Sequence, residues 1–487
     1  MRARLFLLAL GLAAFGASLG SGFHFDDYAI FSDPALAPAS GWREMASRWR
    51  ELWSLRQTRP LTYLSFWLNR QAGDGHATGY HAVNLLLHLA AVLLLYECLR
   101  RLLDGRAALV AASIFAVHPL QAEAVDYIWG RSIVLAAVFC FAALLAWTSG
   151  RHWAAVAWFL AGLLAKEECA AFPLAIAMLG GKPGGTVQRK RLAPVAAMLG
   201  LSLAAGLRVI YATSVTPGAP AGIRAGISPW NYLLAEGPVI WRYLRLLVAP
   251  YGFTVDADIR VPPWWLGLAA WVALAALLGV MWRKQPEWAR WLAMGLLLLG
   301  PSSSIFPAAD LAADRRMYLP MFAFAAAAGL ALARVGRPVV AGLVVAALTA
   351  TAIGRTQVWM TEESLWREAV RRAPEKVRPK IQLARSVAPA EGLKLLEEAR
   401  KLAPGDASVA TETGRLLLSQ GQAAAALSEF GRALALDPGN ANYLNNRGVA
   451  LAALGQTEAA RRDFLRALEI DPSLASARGN LAAVPAR

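Results

Sequence analysis

GRLLLSQGQAAAALSEFGRALALDP (residues 414–438) and GVALAALGQTEAARRDFLRALEIDP (residues 448–472) carry one pattern twice. Gly414, Gly421, Ala426, Phe430, Ala433 and Pro438 recur as Gly448, Gly455, Ala460, Phe464, Ala467 and Pro472, a spacing of 34 residues. That length holds two helices and two turns, with small residues where the helices cross closely and an aromatic ring where space must be filled. Pro404 lies one further period upstream, whereas Pro374 precedes it by only 30 residues. The earliest unit is therefore shorter and degenerate, and the array holds roughly three units, near the minimum for a stable stack.

The 34-residue helix pair resembles the tetratricopeptide repeat. Two roles for the array remain open: a groove that takes a peptide or partner protein, and a rigid cap. Working back from it, the chain changes character near Arg355. Of 487 residues 57% are hydrophobic and 17% charged, with a mean hydropathy of +0.41, and almost all the long apolar runs fall before that point. The expected organisation is all-α, with residues 1–355 forming a polytopic membrane helical bundle and residues 356–487 a repeat α-solenoid.

Apolar stretches from residues 5–20 to 338–354 give about eleven membrane spans. Basic residues cluster at Arg2 and Arg4, at Arg100, Arg101 and Arg106, at Arg151, at Lys182, Arg189, Lys190 and Arg191, at Arg283 and Lys284, and at Arg334 and Arg337. These alternate as cytoplasmic loops should. The net charge of +16 is thus orientation chemistry, and no nucleic-acid partner is expected. With the amino terminus inside and an odd number of spans, the repeats emerge on the periplasmic or luminal side of a cell (inner) membrane. The opening MRARLFLLALGLAAFGASLGSGF could be a cleaved signal peptide, but fits the alternation better as an uncleaved first helix. Cys98, Cys140 and Cys169 show neither paired spacing nor a CxxC, so neither a disulfide framework nor a zinc site is expected.

Three places depart from simple spans. The loop 21–78 carries Arg43, Arg48, Arg50, Arg56, Arg59 and Arg70, and within it Trp42, Met45, Trp49, Leu52 and Trp53 share one helical face, as an interfacial helix requires. Residues 230–249 contain Glu236, Pro238, Arg242 and Arg245 and suit a second interfacial or partly inserted helix. The apolar run 107–117 reaches only about 16 Å, so its continuation HPLQAEAV must lie within protein at depth. Lys166, Glu167 and Glu168 between two short runs imply a polar cavity opening outward.

Just past the first helix stands FHFDDYAIFSD, with Asp26 and Asp27 adjacent. Paired carboxylates beside an arginine-rich loop suit general-base work on a hydroxyl with an anionic partner nearby; capping of the next helix is the alternative. His118, Gln121, Glu123, Asp126 and Arg131, then Lys166 and Glu167, then Asp310, Asp314, Arg315, Arg316 and Tyr318 all fall at outer helix ends. Singly each has a structural explanation, but together they point to one site.

In order, FDDYAIFSDP, RPLTYLSFWLN, GYHAVNLLLHL, HPLQAEAVDYIWGRS, AKEECA, RYLRLLVAPYGFTVDAD and ADRRMYLP, followed by the repeats, resemble the GT-C superfamily of integral membrane glycosyltransferases. The closer likeness is to the transmembrane and tetratricopeptide-repeat O-mannosyltransferases and their bacterial relatives. The resemblance implies a GT-C-like bundle that transfers a sugar, with inversion, from a polyprenyl-phosphate-linked donor to a protein or glycan hydroxyl. It casts Asp26 or Asp27 as the base, and Arg59, His118, Glu123, Arg131, Lys166, Glu167, Arg315, Arg316 and Tyr318 as the residues holding donor phosphate and sugar. A phosphate leaving group needs cations more than a general acid, so no metal or other cofactor is expected. A lipid-linked sugar transporter would want polar groups at the midplane and inverted repeats, and a mere membrane-anchored scaffold would not need so many helices with buried charges.

Overall fold

The computed structural model describes the chain except residues 33–35, 37–41, 55–56, 74, 180–188, 216–220, 223–225, 309 and 485–487. Arg56 and Lys182 lie outside the described residues, as do the side chains of Arg189 and Lys190. The helix Trp42–Leu52 is present, but the side chains of Trp42, Met45, Trp49 and Leu52 also lie outside. Among the described residues the structure is helical, with one isolated antiparallel bridge between Ala221 and Ala308. Two compact units, Met1–Thr361 and Glu362–Arg487, divide the chain. The division falls slightly after the composition change at Arg355, because the helix Pro338–Val358 runs through that point and Trp359 is fully buried in the first unit.

In the first unit six described helices are long and apolar enough to cross a membrane: Arg2–Gly20, Ala77–Leu102, Ile128–Thr148, Arg191–Val215, Trp264–Lys284 and Pro338–Val358. A seventh candidate is the pair Gly105–Val117 and Pro119–Asp126, bent by 49°. Other apolar stretches fold as shorter helices, among them His152–Ala165 and Met321–Val335. The bend has a local cause. Pro119 cannot donate the helical hydrogen bond, and the His118 ring nitrogen Nδ1 accepts the Leu120 N–H at 3.2 Å to start the next turn. Everything from Pro119 to Asp126 is buried, so this irregular backbone is shielded by protein.

Small residues set the tight crossings. A Cβ on Gly329 would lie 2.5 Å from the Ala107 carbonyl oxygen, and one on Gly267 2.7 Å from that of Leu234, the close approach that membrane helices use in place of a hydrophobic driving force. Residues 229–248 form one helix, Pro229–Val248, started by Ser228, whose hydroxyl accepts from the Asn231 N–H; Glu236 is buried midway along it.

The second unit holds three helix pairs, Val377–Ala384 with Pro389–Leu402, Ala407–Ser419 with Ala423–Leu436, and Ala441–Ala453 with Thr457–Ile470, flanked by Glu362–Arg372 and Ala475–Ala483. The repeated residues do the same work in each pair. A Cβ on Gly414 would meet the Phe430 ring at 2.7 Å and one on Gly448 would meet Phe464 at 2.6 Å. Gly421 and Gly455 turn the chain between helices at φ of 75° and 74°, where a side chain is strained.

Candidate active site

The first helix ends in a tight turn to Gly20, after which Ser21–Tyr28 folds back over the bundle. Phe25 sits at φ 22°, a costly conformation for a residue with a Cβ, immediately before the acid pair. The two aspartates then separate. Asp27 is fully buried; its Oδ2 accepts the His24 N–H at 3.0 Å and its Oδ1 accepts the Trp129 N–H at 2.8 Å. Asp26 is exposed. Burial pushes the Asp27 carboxyl up to about 8, with the Asp26 charge adding to it and the His24 and Trp129 N–H groups opposing.

Three rings hold this loop. Tyr127 is stacked between Phe25, with centroids 4.7 Å apart, and Trp359, 5.7 Å apart, and its hydroxyl lies within the field of both aspartates. The His24 Nε2–H donates to the Trp359 carbonyl at 2.6 Å. Burial lowers His24 to about 4, so the ring is neutral at physiological pH and its Nε2 carries the proton that this bond needs.

The cations come from three other segments. Arg59, at the start of helix Pro60–Ala72, grips Glu167 with two bonds of 3.0 and 2.5 Å. Lys166 pairs with Glu168 at 3.2 Å. Burial lowers Lys166 to about 8, with Arg59 adding to the effect and both glutamates opposing. Burial would raise Glu167, but Arg59 and Lys166 outweigh it and hold the carboxyl at about 2. Arg315 pairs with Glu123, which also accepts the Arg315 N–H at 3.1 Å. Arg316 pairs with Glu236 at 3.3 Å and donates to the carbonyls of Asp310 and Leu311. Lys166 feels the charges of Arg59 and Arg315, and Arg315 acts on Tyr127 beside the aspartates. Lys166, Glu168 and Arg316 line one narrow crevice with Cys169 and Ser302.

Asp26, Arg59, Lys166, Glu167, Glu123, Arg315 and Arg316 thus belong to one electrostatic neighbourhood. His118, Arg131 and Tyr318 have other work. His118 is 1% exposed and, besides starting its turn, bonds the Leu247 carbonyl at 3.2 Å. Arg131, 0% exposed, donates to Asn84, Asn69 and the carbonyls of Ser65 and Tyr80, and lies 4.5 Å over the Phe66 ring. Tyr318 is buried with its hydroxyl 2.8 Å from His88 Nδ1. Sequence reasoning passed over Tyr127 and Trp359, and named Arg242 and Asp314 without pairing them. Tyr127 was open to discovery as the aromatic neighbour of Asp126, whereas nothing local marks Trp359.

A family model described as tetratricopeptide repeat matches residues 389–441 and 411–475. Among curated proteins, the protein O-mannosyl-transferase Tmtc2 of Drosophila melanogaster is 31% identical over 318 residues, covering 57% of this chain and 33% of that protein. Human TMTC2 is 36% identical, covering 33% of this chain and 21% of its own length, and mouse TMTC3 is 32% identical, covering 30% and 16%. The chain therefore spans about one third of the first of these relatives and less of the others. The fly alignment is longer than the whole second unit, so the likeness extends into the membrane bundle. The chain resembles the transmembrane and tetratricopeptide-repeat O-mannosyltransferases, and its second unit carries the repeat match. Among solved structures, the first repeat domain of human RPAP3 is 21% identical, covering 23% of this chain and 91% of that one, with a TM-score of 0.22.

Proposed function

We propose that this chain is a membrane glycosyltransferase that moves a sugar from a polyprenyl-phosphate carrier to a hydroxyl group of a protein, with inversion at the anomeric carbon. The observation that carries the proposal is the division of labour in the acid pair: a buried, doubly anchored Asp27 beside an exposed Asp26. A buried carboxyl group whose two oxygens each accept a backbone N–H is a fixed support, whereas a general base must reach its proton. Asp26 takes the acceptor proton as the acceptor oxygen bonds to the anomeric carbon. The bond from that carbon to the phosphate oxygen breaks, and the lipid phosphate leaves with the electron pair.

Charge developing on that phosphate is met by Lys166 and Arg315, with Arg59 behind them. Each already has a carboxylate partner, so the cations are aimed before substrate arrives, which is how preorganised electrostatics lowers a barrier. The names of the relatives favour mannose and a protein acceptor. The alternation of basic loops supports an outward-facing site, and the repeats would recruit acceptor.

The test is mass spectrometry of envelope glycoproteins from cells with the wild-type chain, without it, and with Asp26→Asn at equal membrane abundance. Loss of one glycoform in both deficient strains is expected; an unchanged glycoform in Asp26→Asn rules out this base.

A further inference from the structure

At the end of the first unit remote from the acid pair, two cavities meet. One, of about 670 Å³, is an apolar groove between the start of the first helix (Phe6, Leu10), the start of Gly105–Val117 (Leu109, Val110) and the start of Pro338–Val358 (Ala341, Val345). The other, of about 630 Å³, carries Arg101, Arg106 and Arg334 together with Asp104 and Glu287. Both are lined by Arg106 and Ala333, so a chain in the groove would have its head beside the basic pocket.

The charges at the junction are not neutralised. Asp104 caps a helix with Oδ1, which accepts the N–H groups of Arg106 and Ala107 at 2.9 and 3.0 Å, and Glu287 pairs with Arg334 at 2.5 Å, so Arg101, Arg106, Arg334 and Arg337 still outnumber the two acids that line the cavities. Arg106 and Arg337 are exposed and have no ion-pair partner among the described residues. Gly336, at φ 70°, makes the turn that sets Arg337 and Pro338 on the groove rim. Along Pro338–Val358 the groove runs from Pro338 to Ala346, roughly 12 Å at the helical rise, close to the ~15 Å half-thickness of the hydrocarbon core.

We propose that this is a binding site for an anionic phospholipid of the adjacent leaflet, with one acyl chain in the groove and its phosphodiester between Arg106 and Arg337. The depth suits a chain from a single leaflet, and the unpaired arginines select the headgroup. Basic loops place this end on the cytoplasmic side, where such pockets meet anionic lipid.

Native mass spectrometry of the detergent-purified full chain, incubated with equal amounts of dioleoyl phosphatidylglycerol and dioleoyl phosphatidylcholine, tests it. Retention of phosphatidylglycerol over phosphatidylcholine by about fivefold or more is expected. Arg106→Ala with Arg337→Ala should bring the two to parity, and the matching double lysine variant should keep the preference. Gly342 lines the groove and faces open space, so Gly342→Trp should fill it without a clash and reduce capture of both lipids. Equal capture by the wild type, an undiminished preference in the double alanine variant, or unchanged capture in Gly342→Trp overturns the proposal.

Discussion

The Trp359 carbonyl accepts a hydrogen bond from the His24 ring at 2.6 Å across 335 residues of sequence, tying the end of the last membrane helix to the loop that carries the acid pair. The Trp359 indole adds a second tie by stacking on Tyr127, which stacks on Phe25. Trp359→Ala empties a fully buried site and should cost about 3–5 kcal/mol, while Trp359→Phe keeps a ring on Tyr127 and should cost markedly less. Thermal unfolding in detergent reads the difference; equal midpoints for the two variants would remove the indole from this role.

Asp26 and Asp27 should fail differently. Asp26→Asn leaves the packing alone, so stability should stay within about 0.5 kcal/mol while the transfer rate falls by about 10²–10⁴. Asp27 has a folded value of about 8 against an ordinary 3.8, so the folded state favours its protonated form. The stability it contributes is full below pH 3.8 and is lost as pH rises through about 8. Asp27→Asn cannot ionise, so its unfolding midpoint relative to wild type should climb across that window. A difference that stays flat with pH would contradict the burial of this carboxyl.

Lys166 supplies a second pH signature. Held near 8 by burial, it loses its charge at mildly alkaline pH, and with it an attraction for the donor phosphate. The KM for donor should rise as pH passes about 8, and Lys166→Arg, which stays charged, should flatten that rise. An identical alkaline limb in the variant assigns the titration elsewhere.

Legibility in the sequence followed the range of the interactions. The shortness of the apolar run 107–117 and the polar HPLQAEAV after it announced a departure from a simple span because both are local features. The 34-residue period announced the repeats because each unit packs on its neighbour. The grouping of Lys166, Glu167 and Arg315 was visible through the alternation of helix ends, and Arg59 through the family resemblance. What separates Asp26 from Asp27 was not, because it depends on a Trp129 N–H 102 residues away. Arg131 misled for the same reason. Its partners Asn84 and Asn69 lie 47 and 62 positions upstream, and nothing nearby shows that its donors are already used.

The repeat geometry gives the sharpest test of packing. A Cβ on Gly448 would sit 2.6 Å from Phe464 Cε1, with two more ring atoms at 2.9 and 3.0 Å, so Gly448→Ala forces a buried ring out of its place at about 1–3 kcal/mol. Gly431 faces open space and lies within the helix Ala423–Leu436, where replacing glycine by alanine should stabilise by about 0.5–1 kcal/mol. The two substitutions are chemically identical and should move amide hydrogen exchange in opposite directions, faster over residues 441–470 for Gly448→Ala and slower over 423–436 for Gly431→Ala. Combining Gly448→Ala with Phe464→Leu, which makes room for the methyl group, should recover part of the lost protection. If the double variant is less protected than either single change, the ring is not what the glycine accommodates.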